Sequence, residues 1–343
     1  MSYRREYVQN LINGFMGTTV IYAACELGIF DKLKERNKSE SELAEEIGCK
    51  KDEIKRLVRP LQQYNLLEKS ESRLMLTEIG MCLTNDCEES LKKYALFCGR
   101  ESIKAWGLLY PAIKQNTSPQ KLINELGMFE DMERDENRFS TFDAMMSSVS
   151  KNIDLEAFFK QFKDKKTEFL IADVGGGTGT IITKFLNYYS NAKGVVLDLL
   201  QAKDAATKNI KMSGLKERLT FKEANFFNPL EIKSDVYVLS RVLHDWDDAD
   251  AVKILRNISS SMSDESRLVI IEDLIKETND KSALKAYMCD IQMWVFCNGK
   301  ERTLDEFEEL FAESGLILDS NMQLRDGTYV MSVKRTDEIY GVI

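Results

Sequence analysis

The chain has 343 residues, 43% of them hydrophobic, with 47 Lys and Arg against 56 Asp and Glu for a formal charge of −9. That length suggests two domains with a sizeable core, and that charge disfavours a general nucleic-acid binder, because phosphate contacts dominate such affinity. The opening MSYRREYVQNLINGF has neither a long apolar run nor a small-residue cleavage pattern, so no signal peptide is read there. No apolar run anywhere is long enough to span a bilayer. The seven cysteines are scattered and form no C-x-x-C pair, which reads as reduced thiols in a cytoplasmic protein. One histidine, His244, is present, so a multi-histidine metal site within one chain is excluded.

Residues 7–35 read as helical, with Gly28 near a turn. The stretch from Leu11 to Leu33 is too apolar for a solvated arm and is expected to interlock across a homodimer. Ser39 is a predicted cap for a short helix that Gly48 ends, and a second helix places Ile54, Leu57, Val58 and Leu61 on one face. Leu66, Leu67 and Leu74–Leu76 predict a small hairpin. Helix, turn, helix and hairpin make a winged-helix pattern. Residues 38–69 hold seven basic and seven acidic side chains, so the module has no positive field for DNA and reads as a packing and dimerisation unit. Residues 88–160 read as several helices. There Trp106, Met128, Phe129, Phe139, Phe142, Met145 and Met146 supply core, and some of them suit the wall of a pocket for a flat apolar ligand.

From residue 166 the texture changes to short β-branched runs separated by helical stretches: FLIADV, GVVLDL, LTFK, DVYVLS and RLVIIE. This is the pattern of an α/β, Rossmann-like doubly wound sheet. Two more strands are expected between Gly315 and Val333, with a turn at Asp326–Gly327. The expected division is a helical, winged-helix unit over 1–100, a helical connection over 101–165, and a cofactor-binding unit over 166–343.

IADVGGGTGT follows the first of these strands and opens a helix. Gly175 and Gly177 allow the backbone a sharp turn and close approach to a ligand. Asp198 ends the next strand, where a carboxylate can accept hydrogen bonds from both ribose hydroxyls. A nicotinamide cofactor uses the same two devices, although its fingerprint wants Gly or Ala where Thr180 stands. His244, in SRVLHDWDD, lies just after the fourth strand, on the edge where such sheets bind ligands. Glu272 ends the next strand and points toward the same crevice. Glu301 precedes a helix near Leu304 that Thr303 can cap; taken alone, it also reads as an acid favouring the helix dipole.

Together these segments resemble the plant and bacterial small-molecule O-methyltransferases, the caffeic acid O-methyltransferase-like group. The resemblance rests on the N-terminal winged-helix module, DVGGGTG, HDW, the glutamate after strand five and GKERT, and it spans nearly the whole chain. It implies S-adenosylmethionine as cofactor, a small aromatic acceptor, a homodimer and no metal. It places the base on His244 and its flanking carboxylates on Glu272 and Glu301. Cofactor contacts fall on Gly175, Gly177 and Asp198, with the adenine near Asn225, Phe226 and Ser240 and with Trp246 nearby. The family usually has Asp at the position of Asn225, often proline at that of Leu200, and, in plants, Lys at that of Ser240.

The implied chemistry explains why the three catalytic residues belong together. Methyl transfer from a sulfonium is an in-line displacement in which the enzyme must align the acceptor and remove its proton. A neutral imidazole can take that proton, and a carboxylate beside it sets the tautomer and stabilises the imidazolium. Two other readings remain at this point. One is a relative of the same fold that binds the cofactor but hydroxylates, decarboxylates or dehydrates and cyclises. The other is a winged-helix regulator that senses a metabolite.

Overall fold

The computed structural model describes residues 3–88, 90–132, 134–161, 168–278 and 280–336. The chain forms two compact units, Met1–Gly107 and Leu108–Ile343. The boundary expected at residues 165–166 falls within 162–167, outside the described residues.

In the first unit the apolar N-terminal stretch forms three helices, Tyr3–Ile12, Gly14–Glu26 and Ile29–Glu35. Gly28 sits at the turn with φ +69. Ser39 caps the helix Glu40–Ile47 through a reciprocal pair, its hydroxyl accepting from Glu42 N and its own N–H donating to the Glu42 carboxylate, which satisfies two orphan donors at once. Ile54, Val58 and Leu61 of the helix Lys51–Gln63 are buried. The hairpin pairs β1 (Leu67–Ser70) with β2 (Arg73–Leu76). Tyr7, Val8, Leu11, Ile12, Phe15 and Met16, all within the first two helices, are exposed on the chain taken alone, and clustered exposed apolar side chains of this kind mark association surfaces.

The second unit is built on seven strands: β3 (Phe169–Val174), β4 (Ala192–Asp198), β5 (Leu219–Glu223), β6 (Val236–Ser240), β7 (Arg267–Glu272), β8 (Leu316–Gln323) and β9 (Tyr329–Arg335). Their order is β5-β4-β3-β6-β7-β9-β8. The first five run parallel, and β9 and β8 close the edge antiparallel. Alternate residues feed two cores. Tyr237, Leu239, Leu268 and Ile270 pack on one face, and Val236, Val238, Val269 and Ile271 on the other. Both faces are therefore covered, as expected where β-branched runs show no polar alternation.

Chain order reverses between β3 and β6. The connection from β3 departs to one side and that from β6 to the other, which opens a crevice at their carboxyl ends. The glycine loop, Asp198 and the segment from Ser240 onward all leave strands at this edge.

Candidate active site

A cavity of about 630 Å³ occupies that crevice. Its walls include all seven residues expected to hold the cofactor: Gly175 and Gly177 after β3, Asp198 after β4, Asn225 and Phe226 after β5, and Ser240 and Trp246 from β6 and its turn. Gly175 has φ +67, and a Cβ there meets Val242 Cγ2 at 2.9 Å, so the loop requires glycine at this point. Asp198 accepts from the N–H of Gly177 at 2.6 Å and from that of Leu199 at 2.7 Å. Burial raises its pKa, and these two donors work against the rise. Asn225 Oδ1 accepts from Phe227 N at 2.9 Å. Ser240 Oγ is buried with no hydrogen-bond partner.

The remaining wall is aromatic and thioether. Trp246 stacks on Phe129 with centroids 6.0 Å apart and meets Phe227 edge-on at 4.6 Å. Met128, Phe139, Phe142 and Met146 also line the cavity, whereas Met145 lies in the interior and Trp106 belongs to the other unit.

His244, Glu272 and Glu301 come together from three separate segments. His244 sits in the short turn Leu243–Asp245 after β6, Glu272 ends β7, and Glu301 precedes the helix Leu304–Glu313. All three are at most 4% exposed. His244 Nδ1 is 2.9 Å from Glu301 Oε1 and 3.4 Å from Glu272 Oε2. An ionised carboxylate can only accept, so Nδ1 carries hydrogen and Nε2 is the nitrogen left over. The trio does not itself line the cavity; Val242, Asp245 and Trp246, on either side of the imidazole, do. On its other edge, Nε2 lies 3.8 Å from Asp245 Oδ1.

Burial lowers the His244 pKa, but Glu272, Glu301 and Asp245 outweigh it, and the net result is a rise from 6.5 to about 10. Burial likewise raises Glu272, against the pull of His244. The cluster therefore holds a proton at neutral pH that an isolated imidazole gives up. The ligand atoms of the three lie within 4.8 Å of one another, a spacing a cation can use, but the 2.9 Å contact is that of a direct hydrogen bond.

Long-range contacts set this geometry. Glu272 Oε1 accepts from the N–H groups of Val242 and Leu243, both at 3.0 Å, so one of its oxygens ties down the turn that carries His244. The fully buried Arg302 grips the same turn, donating to Leu243 O at 2.9 Å and to Trp246 O at 2.8 Å. Gly299 packs against the His244 carbonyl, leaving no room for a Cβ. Glu301 Oε1 also accepts from Cys289 Sγ at 3.1 Å, and Glu301 N donates to Asp290. Arg241 holds φ +55 and meets Asp273 at 3.4 Å.

Sequence reasoning passed over Arg241, Asp273, Cys289, Arg302, Asp143 and Asp173. Asp173 had a visible signal, a charge inside the apolar strand FLIADV, as did Asp143, an acid in the otherwise uncharged stretch FSTFDAMMSSVS. Arg241 and Arg302 lie inside the segments SRVLHDWDD and GKERT and Asp273 follows Glu272, but nothing local to them says what they bond; Cys289 carries no signal.

Comparison with known proteins gives the class of enzyme. A family model described as an O-methyltransferase domain matches residues 106–317, and another described as an O-methyltransferase dimerisation domain matches residues 9–86. The chain belongs to the O-methyltransferase family. It is 26% identical over 329 residues to the phenazine O-methyltransferase PhzM of Lysobacter antibioticus, covering 94% of each chain. It resembles the solved structure of the mitomycin 7-O-methyltransferase MmcR with a TM-score of 0.87 and 26% identity, over 97% of this chain and 98% of that one. It also resembles the O-methyltransferase NcsB1 from neocarzinostatin biosynthesis, solved with S-adenosylmethionine and 2-hydroxy-5-methyl naphthoic acid, with a TM-score of 0.79 and 25% identity over 93% and 96%. Among the described residues, no helix is long and apolar enough to cross a membrane.

Proposed function

We propose that this chain uses S-adenosylmethionine to methylate a hydroxyl on a small aromatic acceptor, with His244 as the base, and that it works as a homodimer. The observation that carries the assignment of the base is the pairing of His244 Nδ1 with Glu301 at 2.9 Å, which spends one ring nitrogen and presents the other. The cavity fits the cofactor on its own terms. The glycine loop admits no Cβ at Gly175, Ser240 Oγ is buried without a partner, and Asp198 keeps lone pairs for ribose hydroxyls. Gly175, Gly177, Asp198, Asn225, Phe226, Ser240 and Trp246 are the residues we assign to holding it.

S-adenosylmethionine supplies an electrophilic methyl group on a sulfonium, which leaves the protein to align an oxygen and take its proton. The aromatic wall of Phe129 and Phe142, whose rings meet edge to face, suits an aromatic ring. An acceptor seated there reaches the imidazole on its Nε2 side, past Asp245. Phenols ionise near pH 10, and Glu272 and Glu301 bring the imidazole to about the same proton affinity. Proton transfer between matched groups costs little, but only imidazole that has lost its own proton can accept one, so the neutral fraction of His244 carries the reaction and turnover rises with pH. The relatives' named substrates, a phenazine and a naphthoic acid among them, are of the same chemical kind. The dimer reading rests on the dimerisation-domain match and on the exposed apolar side chains from Tyr7 to Met16.

Methyl-labelled S-adenosylmethionine and a phenolic panel test this directly. Wild-type protein is expected to label at least one phenol. His244→Ala is expected to lose roughly 10²–10⁴ in turnover while keeping cofactor affinity, since the imidazole does not line the cavity. Wild-type turnover in the alanine variant removes His244 as the base. Cofactor binding without transfer to any phenol favours the non-methylating reading of the fold.

A further inference from the structure

The cavity holds more carboxyl groups than the roles assigned above use. Glu130, Asp143, Asp173, Asp198 and Asp245 line it, and Arg241 is the one basic lining residue among those described; that arginine is already engaged with Asp273 at 3.4 Å. Asp173, a lining residue, is 1% exposed, and its Oδ2 is buried without a hydrogen-bond partner. Asp143 is 8% exposed and comes from outside the sheet, on the helix Glu136–Lys151.

That helix is fastened to the glycine loop. Ser147 Oγ lies 2.9 Å from Thr180 Oγ1, and Thr180 Oγ1 lies 2.8 Å from Thr178 Oγ1. Thr180 begins the helix that the loop opens into. Asp143 and Ser147 are four residues apart, on one helix face, so the clamp that holds Ser147 also fixes Asp143 against the cavity. Burial, with Asp198 adding to it, pushes Asp143 up to about 7. Burial pushes Asp173 up to about 7 as well, with the Ile182 N–H opposing and Asp198 adding. Desolvated carboxyls around an open cavity cost free energy that a cation bound among them returns.

We propose that Asp143 is the residue by which the cavity distinguishes the cationic methyl donor from its product, favouring S-adenosylmethionine over S-adenosylhomocysteine through the charge on sulfur. This rests on the cofactor assignment made above. The two compounds share the adenosyl group, the ammonium and the carboxylate. They differ by one methyl and one positive charge. A residue that binds the shared parts changes both affinities alike, whereas a carboxylate that senses the sulfur changes only the charged one. Asp198 is held by the Gly177 and Leu199 N–H groups and Asp173 by the Ile182 N–H; Asp245 accepts from Cys297 Sγ at 3.4 Å and neighbours the imidazole, and Glu130 is exposed to solvent. Asp143, brought by a different element, supplies the sulfur-facing charge, and its attraction for the ligand is lost once the methyl and the positive charge on sulfur have gone, which favours product release.

The experiment is calorimetric titration of wild type and Asp143→Asn at pH 8 with S-adenosylmethionine, S-adenosylhomocysteine and sinefungin, whose protonated amine stands in for the charged sulfur. The variant is expected to bind the two cationic ligands about tenfold more weakly, the worth of a charged contact in a desolvated site, and the neutral-sulfur product within about twofold of wild type. Preference for S-adenosylmethionine over the product is expected to grow from pH 6 to pH 8 in wild type as the carboxyl ionises, and to lose that growth in Asp143→Asn, which separates Asp143 from Asp173, also held at about 7. Equal losses for all three ligands, no loss for any, or a preference flat with pH overturns the inference. Wild-type protein that binds none of the three overturns the cofactor assignment and this inference with it, an outcome distinct from a failure of Asp143 alone.

Discussion

Replacing Glu301 by Gln isolates the electrostatic part of the proposed base. The amide oxygen can still accept from His244 Nδ1, so the 2.9 Å contact survives while the negative charge goes. In the intact cluster the carboxylates lift His244 from 6.5 to about 10 against the opposing effect of burial. One opposite charge at this range is worth about 1–3 pH units. Removing one of the two nearest is therefore expected to lower the imidazole by about 1–2 pH units, or roughly 1.4–2.7 kcal/mol. The assay is the pH dependence of kcat/KM on a phenolic acceptor, which reports the free enzyme. Because the folded imidazole must lose its proton before it can accept another, wild-type activity is expected to rise with pH through neutrality toward pH 10. In Glu301→Gln that rise ends about 1–2 pH units earlier, at a lower plateau because the base is weaker. The penalty is thus smaller at pH 7 than at pH 10. The limb belongs to the cluster as a whole, so the same displacement in Glu272→Gln is consistent with the argument. An acid limb that stays in place in Glu301→Gln, or that persists in His244→Ala, refutes it.

Gly175→Ala places a Cβ at φ +67 and 2.9 Å from Val242 Cγ2; the left-handed backbone alone costs about 1–2 kcal/mol, so a lower Tm and at least about tenfold weaker cofactor binding are expected by calorimetry, and unchanged affinity contradicts the role of the loop. Asp143 and Asp173 rise from 3.8 to about 7 on folding, so the folded state binds their protons more tightly than the unfolded chain, and ligand-free stability falls as pH climbs from about 4 to 7, by at most roughly 4 kcal/mol per group. Asp143→Asn should then raise the ligand-free Tm at pH 8 and leave it nearly unchanged at pH 4; an equal change at both pH values points to a packing effect. His244 has the opposite sign: its contribution is full below 6.5 and is lost as pH rises through about 10,. Excess chelator is expected to leave methyl transfer unchanged, because Glu301 bonds the imidazole directly; activity restored only by a divalent ion shows instead that the trio holds a cation.

Much of the second unit was legible from local pattern. Runs such as VVLD and LVIIE have apolar side chains on both faces and sit between helical stretches, which leaves few arrangements other than a covered parallel sheet. The glycine loop and Asp198 follow from the same logic, since a strand end fixes which edge a residue reaches. His244 stood out because it is the one imidazole in the chain. In the first unit the Ser39 cap and Gly48 were readable because a helix terminus is specified within four residues.

What local pattern leaves open is where side chains from distant segments meet. The end of β7 located Glu272 at the crevice edge, but not the rotamer in which Oε1 takes the N–H groups of Val242 and Leu243 rather than facing the cavity. Arg302 holds the histidine turn from 59 residues away at Leu243 O, and Cys289 donates to Glu301 from a separate helix. Asp143 becomes a cavity residue only because Ser147 bonds Thr180 across 33 residues. By itself the sequence determined the periodicities, the caps, the glycine turn and the single imidazole, all of which depend on near neighbours along the chain. Tertiary structure alone decided which carboxylates share the imidazole's proton and which face a ligand, because burial and close approach of charges, the two quantities that set a buried group's proton affinity, come from segments that meet only when the chain has folded.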